Sequence, residues 1–278
     1  MSSRDARKLF DLTGRVAIIT GGGGLLGRRH AEAIAEAGGI PVIADSDGEC
    51  CDAVVSHIRK LFTTPVWGVH VDITIAKQVK GLLDQVAEHF GRIDILINNA
   101  ANNPKFENPD SVQWSRFENF PLDRWNDDVG VGLTGVFLCS QIIGSYMAEH
   151  GGGVILNIAS TMAIAAPDQR IYHRPGIPED QQMVKPPSYA AIKAGVIGFT
   201  RYLATYWATA GVRANAISPG GVYDGQDELF VKNYSHRVPF GRMADADEYK
   251  GAILFLCSDA SSYMTGANLI IDGGLTCW

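Results

Sequence analysis

Cysteine is scarce in this chain and unpatterned. Its 278 residues hold five, Cys50, Cys51, Cys139, Cys257 and Cys277. An odd number with no C-x-x-C pair speaks against a disulfide framework or a metal site and for a reducing, cytoplasmic setting. Charge is sparse too: 19% of residues are charged, and 24 Lys and Arg against 30 Asp and Glu leave a net charge of -6. A nucleic-acid partner needs a basic face to neutralise phosphates, and this balance supplies no excess of cations for one. Internal repeats and low-complexity tracts are absent, and no apolar stretch of the kind an export signal needs follows the basic N-terminal residues. The most apolar helical pattern is interrupted by Ser140, Gln141, Gly144 and Ser145, so no membrane span is expected. The 46% of hydrophobic residues suffices for one sizeable core.

Those hydrophobic residues come in an ordered pattern. Short apolar runs at 16–20, 40–44, 66–71, 93–97, 154–158, 212–217 and 268–271 read as strands. They are near-continuous rather than alternating, as parallel strands covered on both faces are. Helical periodicity fills the gaps at 25–37, 50–61, 75–90, 122–149, 189–210 and 246–257. The β-α alternation runs from end to end, which predicts one α/β domain over 1–278, a doubly wound Rossmann-type sheet of seven parallel strands with helices on both faces. Two stretches break the alternation, 164–187 with its five prolines and 220–243. Connections that long usually carry function.

After the first strand comes Thr20-Gly21-Gly22-Gly23-Gly24-Leu25-Leu26-Gly27, with a helix directly behind it. Glycines let backbone N–H groups approach a pyrophosphate, which the helix N-terminus then stabilises, although such a turn alone also serves as a plain tight turn. Asp45 ends the second strand, where a carboxylate accepts both hydroxyls of an adenosine ribose and repels a 2′-phosphate, favouring NAD over NADP. A helix-cap role for Asp45 is the alternative. Farther on, Ser188-Tyr189-Ala190-Ala191-Ile192-Lys193 places a tyrosine and a lysine four residues apart, on one helical face. An ammonium there can lower a phenol pKa from about 10 toward neutrality. Upstream, Asn157-Ile158-Ala159-Ser160 offers a hydroxyl at the carboxyl edge of the sheet, where α/β ligands bind.

With these motifs the chain resembles the short-chain dehydrogenase/reductase family over nearly its whole length. Further family-like segments are Asp72 after the third strand, Asn98-Asn99-Ala100-Ala101 after the fourth, Asn215-Ala216-Ile217-Ser218-Pro219-Gly220 after the sixth, and Asp272-Gly273-Gly274 near the end. The resemblance implies that Tyr189 is the general acid/base, that Lys193 lowers its pKa and holds the nicotinamide ribose, and that Ser160 polarises the substrate oxygen. It also implies cofactor contacts from Gly21, Gly24, Leu25, Leu26 and Gly27. Asp72 and Ile73 would lie by the adenine, Asn99, Ala100 and Ala101 along the adenosine, and Pro219, Gly220 and Val222 beside the nicotinamide. Small-molecule turnover by a homodimer or homotetramer follows by the same resemblance. The segments 221–227 and 241–252 are similar to a branch associated with bacterial surface-sugar and flagellin-glycan modification.

Three positions depart from the family pattern. Leu25 stands where the middle glycine of the turn is usual, Gly132 replaces a catalytic asparagine in Val131-Gly132-Leu133-Thr134-Gly135-Val136-Phe137, and Asp224 stands where a threonine is common. Between Ser160 and Tyr189 the chain is longer than usual, the excess being the proline-rich loop. Its Gln169, Arg170, Tyr172, His173, Arg174 and Lys185 offer donors to a hydroxylated or anionic substrate, with Arg170, His173, Arg174 and Asn102 the candidate contacts. The polar 220–243 segment also suits a sugar-like ligand better than a steroid or lipid. A secondary alcohol on a polar substrate is therefore the expected reactant. The alternatives are a 3-oxoacyl-thioester or other small-ketone reductase and, from another class, a cofactor-binding regulator without turnover.

Overall fold

The structure is a computed structural model and describes residues 5–102 and 113–278. Seven strands, β1 (Val16–Thr20), β2 (Ile40–Asp45), β3 (Trp67–His70), β4 (Ile95–Asn98), β5 (Gly153–Ile158), β6 (Val212–Pro219) and β7 (Asn268–Ile271), form one parallel sheet. Its order is β3-β2-β1-β4-β5-β6-β7, so the winding direction reverses between β1 and β4. At such a reversal the crevice beyond the strands' carboxyl ends is open to a ligand. The expected Rossmann-type α/β architecture is the one observed.

Continuous apolar runs arise because both faces are covered. Ala17 and Ile19 of β1 pack with α1 (Leu25–Glu36), α2 (Gly48–Leu61) and α8 (Lys250–Cys257). Their neighbours Val16 and Ile18 point the other way, into a core shared with α3 (Ala76–Phe90), α5 (Gly135–Glu149) and α6 (Pro187–Tyr206). The period of two along a strand sends successive side chains to opposite layers.

Some helix bounds differ from those read in the sequence. The 122–149 helix consists of α4 (Leu122–Val129), a single π turn over Gly130–Thr134, and α5. By length and composition Leu122–Glu149 is apolar enough to cross a membrane, yet Cys139, Ile143 and Met147 are fully buried against the sheet, as in a core helix. The helix expected at 189–210 starts earlier, because Pro187 at its first turn lacks only an N–H that would be unsatisfied there anyway. An additional helix, α7 (Glu228–Ser235), lies in the segment read as irregular, capped by the Asp227 carboxylate on Phe230 N–H.

Candidate active site

The turn after β1 is built so that backbone alone fills it. Gly21 has φ +60°, and a Cβ on Gly27 would stand 2.2 Å from Gly21 O, so neither position accepts a side chain. Asn99 straps the turn to β4, its Nδ2 donating to Thr20 O at 3.1 Å and Gly21 O at 2.9 Å. Gly24 caps α1 without a side chain, leaving the helix N-terminus uncluttered. Asp45, at the end of β2, accepts from Gly23 N–H at 2.8 Å and Asp47 N–H at 3.0 Å. A side-chain-free cradle at a helix N-terminus, with a carboxylate on its rim, fits a dinucleotide. Asp72 meanwhile takes Thr74 N–H and Oγ1–H at 2.9 and 2.7 Å ahead of α3, and Ile73 is buried next to Gly135.

One strand over, a buried polar ladder holds the sheet edge. Asn98 Nδ2 donates to Asn157 Oδ1 at 2.8 Å and Ser140 Oγ at 3.1 Å, and Asn157 Nδ2 donates to Thr200 Oγ1 at 2.9 Å. These bonds fasten β4 and β5 to α5 and α6, and so set α6 against the end of β5. Ser160, just past β5, is buried and its Oγ accepts Met162 N–H at 3.2 Å. Lys193 of α6 is almost fully buried and donates from Nζ to Ile158 O at 2.6 Å. Burial, helped by the nearby Lys185, pulls its ammonium down to about 8. Tyr189, one helical turn earlier, faces Ser160; burial raises its phenol pKa, and the interaction with Ser160 works against that rise. At β6, Pro219 and Gly220 close the other wall. Gly220 N–H donates to Ile271 O at 2.8 Å, and Val222 bridges to Ala244.

Ser160, just past β5, thus meets Tyr189 and Lys193 of α6. The cleft beside them takes its polar lining from Asn102, Asp128, Lys185, Ser188, Tyr189 and Lys193 and the rest of its wall from Ala101, Gly132, Pro186 and Ile192. Asp128 accepts from Ser188 Oγ at 2.5 Å and from Asn102 Nδ2 at 3.2 Å. Sequence reading passed over Asp128 and Ser188. Ser188 stood in the Tyr189 motif as a neighbour only, and nothing local separates Asp128 from the adjacent Asp127.

The two long loops form a unit with its own apolar cluster of Ile171, Tyr172, Tyr234, Val238 and Met243. Asp168 pairs with both Arg170 and Arg237, and Arg174 pairs with Asp227 at 2.5 Å. The Arg170 and Arg237 guanidiniums hold the Asp168 carboxyl at about 2. Arg170 therefore sits with its side chain 86% exposed on Asp168, Arg174 ties the loop to the cap of α7, and His173 is exposed. Asn102, unlike these three, lines the cleft.

Residues 15–172 match the family described as short chain dehydrogenase, and residues 179–276 one described as enoyl-(acyl carrier protein) reductase. The chain is a short-chain dehydrogenase/reductase. It is an oxidoreductase acting on CH–OH groups, in a family that binds nicotinamide cofactors. It is 34% identical to a D-threitol dehydrogenase of Mycolicibacterium smegmatis, over 96% of this chain and 95% of that protein. To an NAD-dependent glycerol dehydrogenase of Listeria innocua it is 31% identical, covering 99% of each. Its fold is similar, at a TM-score of 0.83 and 31% identity over 99% of this chain and all of the other, to a gluconate 5-dehydrogenase from Burkholderia cenocepacia in complex with NADP and tartrate.

One departure of this short-chain dehydrogenase/reductase has a visible physical basis. A Cβ on Gly132 would lie 2.7 Å from Ile192 Cγ2, so Ile192 of α6 occupies the place where a longer side chain at 132 would begin. The backbone around Gly132 forms a π turn, its wider i→i+5 ring closing from Gly135 N–H to Gly130 O. Leu25 is the first residue of α1 and is 40% exposed. Asp224 is exposed beyond Val222, its N–H donating to Gln226 Oε1 at 2.8 Å.

Proposed function

We propose that this chain is an NAD-dependent dehydrogenase that interconverts a secondary alcohol and a ketone on a small polyhydroxylated substrate, a polyol or sugar acid. The observation that carries the reading is the convergence of Ser160, Tyr189 and Lys193 beside a cleft whose remaining polar lining, Asn102, Asp128, Lys185 and Ser188, offers both donors and acceptors. A hydroxyl group needs both, whereas an acyl chain needs neither. The names of the threitol, glycerol and gluconate enzymes support the same substrate class.

When bound, the nicotinamide accepts or returns hydride at the substrate carbon. Ser160 Oγ–H donates to the substrate oxygen and fixes its position. Tyr189 takes the hydroxyl proton during oxidation and returns it during reduction. Lys193, anchored through Ile158 O, keeps a positive charge beside the phenol against the burial that opposes ionisation. Asp45 supports NAD rather than NADP, since its carboxylate at the ribose end of the cradle opposes a 2′-phosphate.

Assembly as a dimer or tetramer belongs to this reading. Phe137, Tyr202 and Tyr206 of α5 and α6 are exposed on one side, with Tyr202 and Tyr206 stacked 5.5 Å apart. Light scattering at micromolar concentration that returned a monomer would remove this part.

The decisive experiment follows NAD reduction with D-threitol, glycerol, xylitol and gluconate, and NADPH oxidation with a 3-oxoacyl thioester. Turnover is expected on the first set, falling about 10²–10⁴-fold in Tyr189→Phe with NAD affinity retained. Reduction of the thioester with no polyol or sugar-acid turnover would overturn the substrate class. Undiminished turnover by Tyr189→Phe would overturn the site.

A further inference from the structure

Tyr189 carries two ammonium groups on its ring rather than one. Lys193 Nζ lies 5.8 Å from the ring centroid, and Lys185 Nζ lies nearer, 4.0 Å away over the ring. Lys185 ends the proline-rich loop, and the elements on either side of it fix its course. Its N–H donates to Gln169 Oε1 at 2.8 Å, Val184 N–H donates to Ser115 Oγ at 3.3 Å, and Pro186 and Pro187 lead directly into α6. The backbone that presents this ammonium therefore has little freedom to move it.

We propose that Lys185 is a positioning residue for proton transfer at Tyr189, a second ammonium on the phenol ring that stabilises the phenolate together with Lys193. The inference rests on the reading of Tyr189 as the proton acceptor. A cation over an aromatic face is attracted by the ring's electron density, and the attraction grows when the phenol loses its proton and the ring becomes negative. The two ammoniums also repel each other, Lys185 helping to lower Lys193. Lys193 lies on the same helix, and Tyr172 and Tyr234 approach Tyr189 from the two loops; both phenols are raised by burial and stay neutral near pH 7. Among the described residues Asp128 is a carboxylate that acts on Lys185, held in place by Ser188 and Asn102. Burial brings Lys185 down only to about 8, with Asp128 opposing the fall, so the group remains largely charged at neutral pH.

A strap that merely fastens the loop to α6 would make the same contact, and ionisation of Tyr189 separates the two roles. The test is a near-ultraviolet phenolate titration of the full chain, each variant referenced to its own Tyr189→Phe partner, so that the difference reports Tyr189 alone and needs no substrate. Lys185→Met keeps the stem and removes the charge, whereas Lys185→Arg keeps a charge through the whole titration; the Tyr189 midpoint is expected about one pH unit higher in Lys185→Met than in Lys185→Arg, a tenfold difference in the phenolate-to-phenol ratio. Wild type should lie between them, because Lys185 itself loses its proton as the pH rises. Lys185→Gln serves if Lys185→Met does not fold. Equal midpoints in folded Lys185→Arg and in Lys185→Met or Lys185→Gln overturn the proposal. Failure of the general-base reading is a separate result, visible as turnover retained by Tyr189→Phe.

Discussion

Gly132→Ala puts the packing at the departure from the family pattern to a quantitative test. At an unobstructed helix position, replacing Gly with Ala gains about 1 kcal/mol from reduced backbone freedom in the unfolded chain. Gly132 is not such a position, because the new Cβ would stand 2.7 Å from Ile192 Cγ2. Ile192 is 6% exposed, and its β-branched side chain has one strongly preferred χ1 rotamer in a helix, so the methyl cannot swing aside cheaply. Forcing a methyl into a filled core costs about 1–3 kcal/mol. The clash therefore outweighs the propensity gain, leaving a net loss of up to about 2 kcal/mol, which for a chain of this size lowers the melting temperature by up to about 4 °C. Thermal unfolding by calorimetry measures it directly. In an Ile192→Ala background, itself less stable by about 2–5 kcal/mol, the same Gly132→Ala change should become neutral or stabilising, a coupling of about 1–3 kcal/mol. A higher melting temperature for Gly132→Ala in the wild-type background would refute the argument, and with it the account of why glycine stands here.

Two further outcomes are expected. Asp45→Ala should narrow the NAD over NADP preference about tenfold, equivalent to about 1.4 kcal/mol, with both dissociation constants read by fluorescence titration; native protein that binds NADP more tightly would show that Asp45 does not face the ribose. His30 is buried in α1 without a well-formed hydrogen bond to either ring nitrogen, and burial, only partly opposed by Asn99, holds it down at about 3. Because the unfolded chain binds this proton at about 6.5 and the folded chain does not, stability present above pH 6.5 is lost as pH falls, by about 2–3 kcal/mol at pH 4.5. Denaturant unfolding of wild type and His30→Leu at both pH values measures this, and equal acid sensitivity of the two would count against it.

Local chemistry made much of this molecule legible in the chain itself. Seven near-continuous apolar runs separated by helical periodicity pointed to a parallel sheet covered on both faces, because a strand's period of two and a helix's period of 3.6 are properties of the backbone that no distant contact changes. The glycines of 21–27 and the four-residue spacing of Tyr189 and Lys193 are equally local, which is why the nucleotide turn and the shared helical face were readable before any fold was known. What only the tertiary structure decided depends on segments far apart in sequence. Ile192 filling the space over Gly132, Asp128 joining Asn102 and Ser188, and Arg174 engaged by Asp227 instead of facing the cleft are all contacts across elements. Helix α7 was hidden for the same reason: Phe230, partly buried, packs on Tyr172 of the other loop and Tyr234 is buried in the same cluster, and its eight residues are too few to announce a period alone. Lys185 could be named as a loop cation from sequence, but its seat over the Tyr189 ring exists only because the prolines and Gln169 return the loop to the start of α6. Side-chain direction at a loop end is set by packing, and packing is a property of the whole fold.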